Sequence, residues 1–373
     1  METNKLRQII QSFNSMFYDR QREIEALMVA LLSRQHVLLI GPAGTGKSAL
    51  ASMLSKLVEN SRYFQHLLTR FSTPDELFGP LSLKELEQGN FKRNTSGMLP
   101  EAHFAFIDEI FKANSSVLNS LLSLINERIF YDNGKPINCP LLTLIGSSNE
   151  YIEEGDGLEA LFDRFLLRLE VKYIRENEMF ISMLKNNEVS NIPSLSFNEL
   201  QYHQKQVELV DIPDAIYHTI AKVRIRLQDE GIQPSDRRFK QSLSLLRANA
   251  YLAGRMEVER KDLGILTNVL WNRPEERETA SKIIYEIIDD SVDTFIERIV
   301  PEFDTLIQII EHSMTENSKH AKDMVGELLL QGKSLYLEVQ EFTSKMPNRK
   351  ELIDLKNDMH KRLLDMTSQV IGF

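Results

Sequence analysis

Cysteine is almost missing: Cys139 is the only one in 373 residues, so no intrachain disulfide can form. Histidine is sparse and dispersed, eight in all, which argues against a structural zinc site. Positive charge is not in excess either. Lys and Arg total 44 against 54 Asp and Glu, a formal net charge of −10, so general affinity for nucleic acid through a basic surface is not expected. A local basic pore or groove stays open. No run of 18 or more apolar residues occurs, and the first forty residues break their apolar groups with charge, so neither a membrane span nor a signal peptide is predicted. The expected location is the cytoplasm. Internal repeats and low-complexity tracts are also lacking. What remains is a chain 42% apolar and 26% charged, in the range of soluble globular proteins and long enough for two or three domains.

Apolar spacing divides the chain. Residues 1–34 read as two helices broken near Tyr18 and Asp19, the second with Ile24, Leu27, Met28, Leu31 and Leu32 on one face. HVLLIG follows as a buried strand, then a glycine loop, then a helix lined by Leu50, Met53, Leu54 and Leu57. Phe104–Ile107 form another apolar strand, followed by a helix with Val117, Leu118, Leu121, Leu122 and Ile125 inside. Asn133-Gly134 marks a hairpin, and LLTLIGSSNE a third buried strand. Such alternation predicts an α/β fold with a mostly parallel sheet covered on both faces. Asn186, Asn187, Ser190, Asn191 and Pro193 suggest a linker, beyond which the sequence is nearly all helix, with Pro301 and Pro347 as expected interruptions.

Gly41-Pro42-Ala43-Gly44-Thr45-Gly46-Lys47-Ser48 fits G-x-x-x-x-G-K-[ST] between the predicted strand and helix. Closely spaced glycines let backbone N–H groups converge on phosphate oxygens at the positive end of a helix. Lys47 supplies charge at the β and γ phosphates of ATP, and Ser48 a hydroxyl for Mg²⁺. Asp108 and Glu109 end a strand, where one acid can hold Mg²⁺ and the other polarise the attacking water. Asn149, just beyond the third strand, either positions water or the γ-phosphate, or is a turn-forming Asn. Local composition leaves Arg164 and Arg237 open between function and surface charge or packing.

The whole pattern over residues of about 16–275 resembles the AAA+ ATPases of the MoxR family, in particular its RavA-like group. GPAGTGKS, LLTRFSTPDELFGPLS, FAFIDEI, LNSLLSLINERIF, SSNE, LEALFDRFLLRL and PSDRRF carry the resemblance. It implies that residues 1–185 are an AAA+ nucleotide-binding domain with a helix-2 insert at about 76–100 and a hairpin before sensor 1 at about 128–140. A helical lid at 195–275 and a C-terminal helical region at 276–373 would follow. By the same resemblance Asn149 is sensor 1, Arg164 the arginine finger and Arg237 the sensor 2 arginine, with Arg238 its rival; Ala49 completes the phosphate loop, and Tyr18 and Asp19 lie by the adenine. The family implies a homo-oligomer, typically a hexameric ring hydrolysing ATP between subunits. It implies a protein substrate and a von Willebrand factor A domain partner as well. A nucleic-acid translocating ATPase and an ATP-controlled assembly scaffold are the alternatives.

Overall fold

A computed structural model describes residues 3–152, 157–185, 193–289, 291–315, 319–346 and 349–371. The linker positions Asn186, Asn187, Ser190 and Asn191, and the interruption at Pro347, lie outside the described residues. Two compact units are present, residues 1–288 and 289–373.

The first unit begins with α1 (Asn4–Met16) and α2 (Gln21–Ser33). Helix α2 buries Ala26, Val29 and Ala30 as well as its leucine stripe, so it is a core helix rather than a half-exposed one. The chain then runs through β1 (Val37–Ile40), α3 (Lys47–Lys56), β2 (Tyr63–Leu67), α4 (Pro74–Phe78) and α5 (Leu83–Leu86) to β3 (Phe104–Asp108). Helix α6 (Ser115–Glu127) leads into the hairpin β4 (Ile129–Asp132) and β5 (Lys135–Asn138), whose turn holds Asn133 at φ 49° and Gly134 at φ 72°. Both lie in the left-handed region that a two-residue hairpin turn needs. After it come β6 (Thr143–Ser148), α7 (Glu159–Arg164), β7 (Leu167–Glu170) and α8 (Asn177–Lys185).

Five strands form one parallel sheet in the order β2-β3-β6-β1-β7. Burial of β1 and β6 is complete along their lengths, as expected of central strands covered on both faces. Chain order reverses across β1: the path crosses to β2, returns through β3 and β6, then passes over to β7. The carboxyl ends beside β1 are therefore a topological switch point, where ligands of open α/β sheets bind.

Helices α9 (Phe197–Glu208), α10 (Asp214–Asp229) and α11 (Asp236–Leu252) follow, then a 3₁₀ segment at Arg260–Asn268 and α12 (Glu276–Ile288). Their stripes join the same hydrophobic cluster as the sheet. The fold is thus an AAA+ architecture of parallel sheet, helical lid and additional helices.

The second unit comprises α13 (Ser291–Thr315), α14 (Lys319–Lys345) and α15 (Lys350–Ile371), around Ile299, Phe303, Ile307, Val339 and Met359. One expectation fails here: Pro301 does not interrupt the chain but sits inside α13. Burial of Ile299, Phe303, Ile307 and Ile310 along that helix holds it together through the missing N–H.

Candidate functional site

Parallel register brings three strand ends to one edge. Gly41 N donates to Ser148 O at 3.0 Å and Leu68 N to Asp108 O at 2.9 Å, so the turns after β1, β3 and β6 open on one side. Gly41 has φ 153°, and a Cβ there would stand 2.0 Å from Val171 O; only glycine fits this approach. Gly44 and Gly46 take φ 79° and 89°, which turns the loop into α3. Ser48 and Ala49 lie exposed in its first turn.

Behind the loop sits Arg20, 6% exposed. Its guanidinium donates to Thr45 O at 3.2 Å and Lys172 O at 2.6 Å, clamping the loop to the segment after β7. Tyr173 donates its hydroxyl to Ala43 O at 3.2 Å. Thr45 itself closes back on Pro42 O at 3.0 Å. The loop is therefore pre-shaped, which spares binding some ordering cost.

Lys47 leads into the site. Its ammonium donates to Gly41 O, to Pro42 O at 3.0 Å and to Asn149 Oδ1 at 2.9 Å. Burial lowers its pKa, while Asp108 and Glu109 act in the opposite sense. Asn149 spends its Nδ2 donor on Glu109 Oε1, linking cation, amide and carboxylate in one chain of contacts. Lys112 stands 3.4 Å from the other Glu109 oxygen.

Glu109 has φ 53°, an uncommon conformation for a residue with a long side chain, with a cost of roughly 1–2 kcal/mol. Two contacts hold it: its N–H donates to Asp108 Oδ1 at 3.1 Å, and its carbonyl accepts from Lys112 N at 2.9 Å. Ser147 on β6 donates its hydroxyl to the same Asp108 oxygen. The loop glycines, Lys47, Asp108, Glu109 and Asn149 thus meet at one edge, as their sequence positions predict.

Tyr18 and Asp19 line a cavity of about 1130 Å³ with Arg175, Arg277 and Tyr285. The phosphate loop is not part of its lining. Asp19 takes φ 55° and accepts from Arg175 N at 3.3 Å, which fixes the corner between α1 and α2 beside Arg20.

Arg164, Arg237 and Arg238 are not drawn into the Lys47 contacts. Arg164 ends α7, 3.4 Å from Asp163 Oδ2, and its Nε is buried with no hydrogen-bond partner. Arg237 donates to Asn126 Oδ1 at 2.6 Å; burial, then the neighbouring Arg164, lower its pKa. Arg238 is 3% exposed and donates to Asp163 Oδ1 at 2.8 Å and Trp271 O at 3.0 Å. Arg168, fully buried on β7, also reaches Trp271 O and lies 3.9 Å over the Phe162 ring.

Arg20, Lys112, Ser147 and Asp163 escape a reading of sequence alone. For Ser147 the signal was register: Ile107 pairs with Gly146, so the next residue of β6 faces Asp108. Arg20 had none beyond its place at a helix break.

Residues 4–205, more than half of the chain, match the family model of the MoxR domain in the MoxR-vWA-beta-propeller ternary systems. Residues 215–284 match an AAA lid domain. The chain belongs to the MoxR family of AAA+ ATPases. A domain of this kind binds ATP and supports its hydrolysis. The MoxR chain is similar to an uncharacterized protein of Methanocaldococcus jannaschii, MJ0079, at 37% identity over 99% of this chain and 94% of the relative. It is similar to the chaperone MoxR1 of Mycobacterium tuberculosis at 27% identity, over 46% of this chain and 45% of that protein. A crystal structure of a candidate ATPase from Cytophaga hutchinsonii superposes with a TM-score of 0.63 at 18% identity. That match covers 77% of this MoxR chain and 94% of the other, and speaks for the fold alone.

The donors present suit magnesium. Ser48 and Asp108 offer hard oxygen ligands beside the phosphate loop, as Mg²⁺ prefers. Among the described residues no group of three or more His, Cys, Asp or Glu could cage a metal. No helix among the described residues is long and apolar enough to cross a membrane.

Proposed function

We propose that this chain is a ring-forming MoxR ATPase that spends ATP on remodelling or maturing a protein partner. The observation that carries the reading is the convergence of Lys47, Asp108, Glu109 and Asn149 at the carboxyl ends of β1, β3 and β6. Residues 1–185 act as the nucleotide-binding domain and 195–275 as its lid. Gly41 to Ala49 form the phosphate loop, whose backbone N–H groups from Ala43 onward wrap the phosphates, and Lys47 exchanges its carbonyl partners for phosphate oxygens. Ser48 and Asp108 would hold Mg²⁺, which would neutralise phosphate charge when bound. Glu109, once released by Asn149 and Lys112, orients the attacking water; Asn149 then senses the γ-phosphate. Tyr18 and Asp19, at the rear of the loop, border the adenine.

Arg164 is held by its own chain's Asp163 and takes no part in the Lys47 contacts, which suits a finger for a neighbour's nucleotide. Arg237, at the start of α11, is the sensor 2 arginine, reaching back across the cleft to the nucleotide. Arg238, engaged by Asp163 and Trp271, is the poorer choice for the second role. Head-to-tail contacts that close give a ring, a hexamer by resemblance. TRFSTPDELFGPLS favours the RavA-like group, while the matched family model is named for systems that pair MoxR with vWA and β-propeller proteins. A vWA-domain protein is accordingly the partner we favour, in the cytoplasm, and the chaperone name of the Mycobacterium relative supports a protein substrate.

Affinity capture tests this. Glu109→Gln in the presence of ATP should retain a protein that Lys47→Ala does not. Recovery of nucleic acid, with salt-sensitive stimulation of turnover, would replace the reading by translocation. Full biological effect from Glu109→Gln would replace it by an assembly scaffold.

A further inference from the structure

Asp163 is the one carboxylate shared by the finger and the lid contacts described above. Its Oδ1 accepts from Arg238 at 2.8 Å and from Ser235 Oγ at 3.3 Å. Ser235 is the residue that caps α11, and its hydroxyl also accepts from Arg238 N at 3.3 Å. The other oxygen, Oδ2, faces Arg164 at 3.4 Å. One side chain at the end of α7 therefore ties the first turn of a lid helix to the finger.

The two sides differ in kind. Arg238 is buried and held by several acceptors: besides Asp163 it reaches Trp271 O and Asn272 Oδ1, both at 3.0 Å, and its Nε alone lacks a partner. Buried Arg168 meets the same Trp271 carbonyl, so the strut is anchored on β7 as well. Arg164 is held loosely, by one long contact, with its Nε buried and unpartnered. A guanidinium so poorly satisfied gains from a second anion, and the nearby Arg237 adds to that demand.

We propose that Asp163 is the positioning residue of the arginine finger: the lid fixes its Oδ1, and its Oδ2 sets where Arg164 points. This rests on the reading of Arg164 as a finger in trans. The lid's seat on the core is then transmitted to the neighbouring nucleotide through a single carboxylate. Loss of the Oδ2 charge leaves Arg164 beside Arg237 with no counter-ion and turns it away. The contacts of Asp163 run to Arg164, Ser235 and Arg238 and not to Lys47, Glu109 or Asn149, so its removal acts on turnover through Arg164.

Asp163→Asn isolates the role, because the amide keeps a carbonyl oxygen for Arg238 and Ser235 but presents a donor to Arg164. Steady-state ATPase is measured on full-length, assembled wild type, Asp163→Asn, Arg164→Ala and the double variant. Asp163→Asn should lower kcat at least tenfold with KM for ATP within twofold. The double variant should turn over no more slowly than Arg164→Ala, since the same interaction is already lost. A fall in the double by the full Asp163→Asn factor, or wild-type kcat in Asp163→Asn, overturns the proposal. Wild-type turnover in Arg164→Ala instead overturns the finger reading beneath it. Should Asp163→Asn fail to assemble, Ser235→Ala loosens the strut from the lid side: kcat reduced threefold or more at unchanged KM upholds the proposal, and unchanged kcat rejects it.

Discussion

Asn149 links Lys47 to Glu109 and so, on the proposed reading, couples the cation assigned to the phosphates to the carboxylate assigned to the water. Asn149→Ala should retain ATP binding within a few-fold while kcat falls tenfold or more, about 1.4 kcal/mol or greater in transition-state stabilisation. A loss confined to KM would contradict this. His36 gives an independent check on the core. It is buried between α6 and β6, with Nε2 3.0 Å from Ile125 O and Leu144 N donating to Nδ1 at 2.9 Å. Burial, aided by Arg128, lowers its pKa to about 3. The unfolded chain therefore takes up a proton below the ordinary value of about 6.5 while the folded chain does not, so stability is lost as pH falls from there toward 3. At pH 5 the loss is about 2 kcal/mol relative to pH 7, and denaturant titration of His36→Gln should flatten that part of the profile. Equal slopes in both proteins would show that His36 is not the titrating group. The convergence of Lys47, Asp108, Glu109 and Asn149 was legible because each sits at a fixed offset from an apolar strand. Arg20 and Asp163 were illegible because the contacts that tie them to other elements span 25 to 152 and 72 to 75 residues, respectively.

At the scale of elements, the central strands β1, β3 and β6 were readable because burial on both faces makes them continuous apolar runs. The edge strand β2, Tyr63–Leu67, buries only Phe64 and carries Gln65 and His66, so it gives neither an apolar run nor a clean alternation. Strand β7 was hidden by Arg168, whose burial is made tolerable by carbonyls of Phe162, Phe165 and Trp271. The hairpin was plain from Asn133-Gly134, yet its docking was not. Phe130 of β4 stacks on Phe78 of α4 at 5.3 Å, and Asp132 accepts from Arg93 N at 3.0 Å. The hairpin is therefore tied to the segment from Phe78 to Arg93 at two points. Phe130→Ala should cost about 3–5 kcal/mol, and amide exchange should rise in residues 78–93 together with the hairpin. Faster exchange in the hairpin alone would separate the two.

For the molecule as a whole, two units with their own hydrophobic clusters predict that a chain ending at Ile288 keeps its ATP affinity. Loss of nucleotide binding in a folded truncation would mean that residues 289–373 complete the site. The unit's helices were visible as stripes in the sequence; Pro301 was misleading because packing on Phe303 and its neighbours outweighs one missing hydrogen bond. On the proposed reading the catalytic interface is completed by a neighbouring subunit, and within one chain Arg164 contacts Asp163. Mixing Arg164→Ala with Lys47→Ala tests that interface most directly. Each variant alone should assemble and hydrolyse little ATP, the finger being worth roughly a thousandfold in turnover. At equal amounts, about a quarter of head-to-tail interfaces pair an intact phosphate loop with an intact finger, so the mixture should recover activity far above either protein. A mixture of co-assembled variants no more active than its components, or wild-type turnover in Arg164→Ala, would contradict the account.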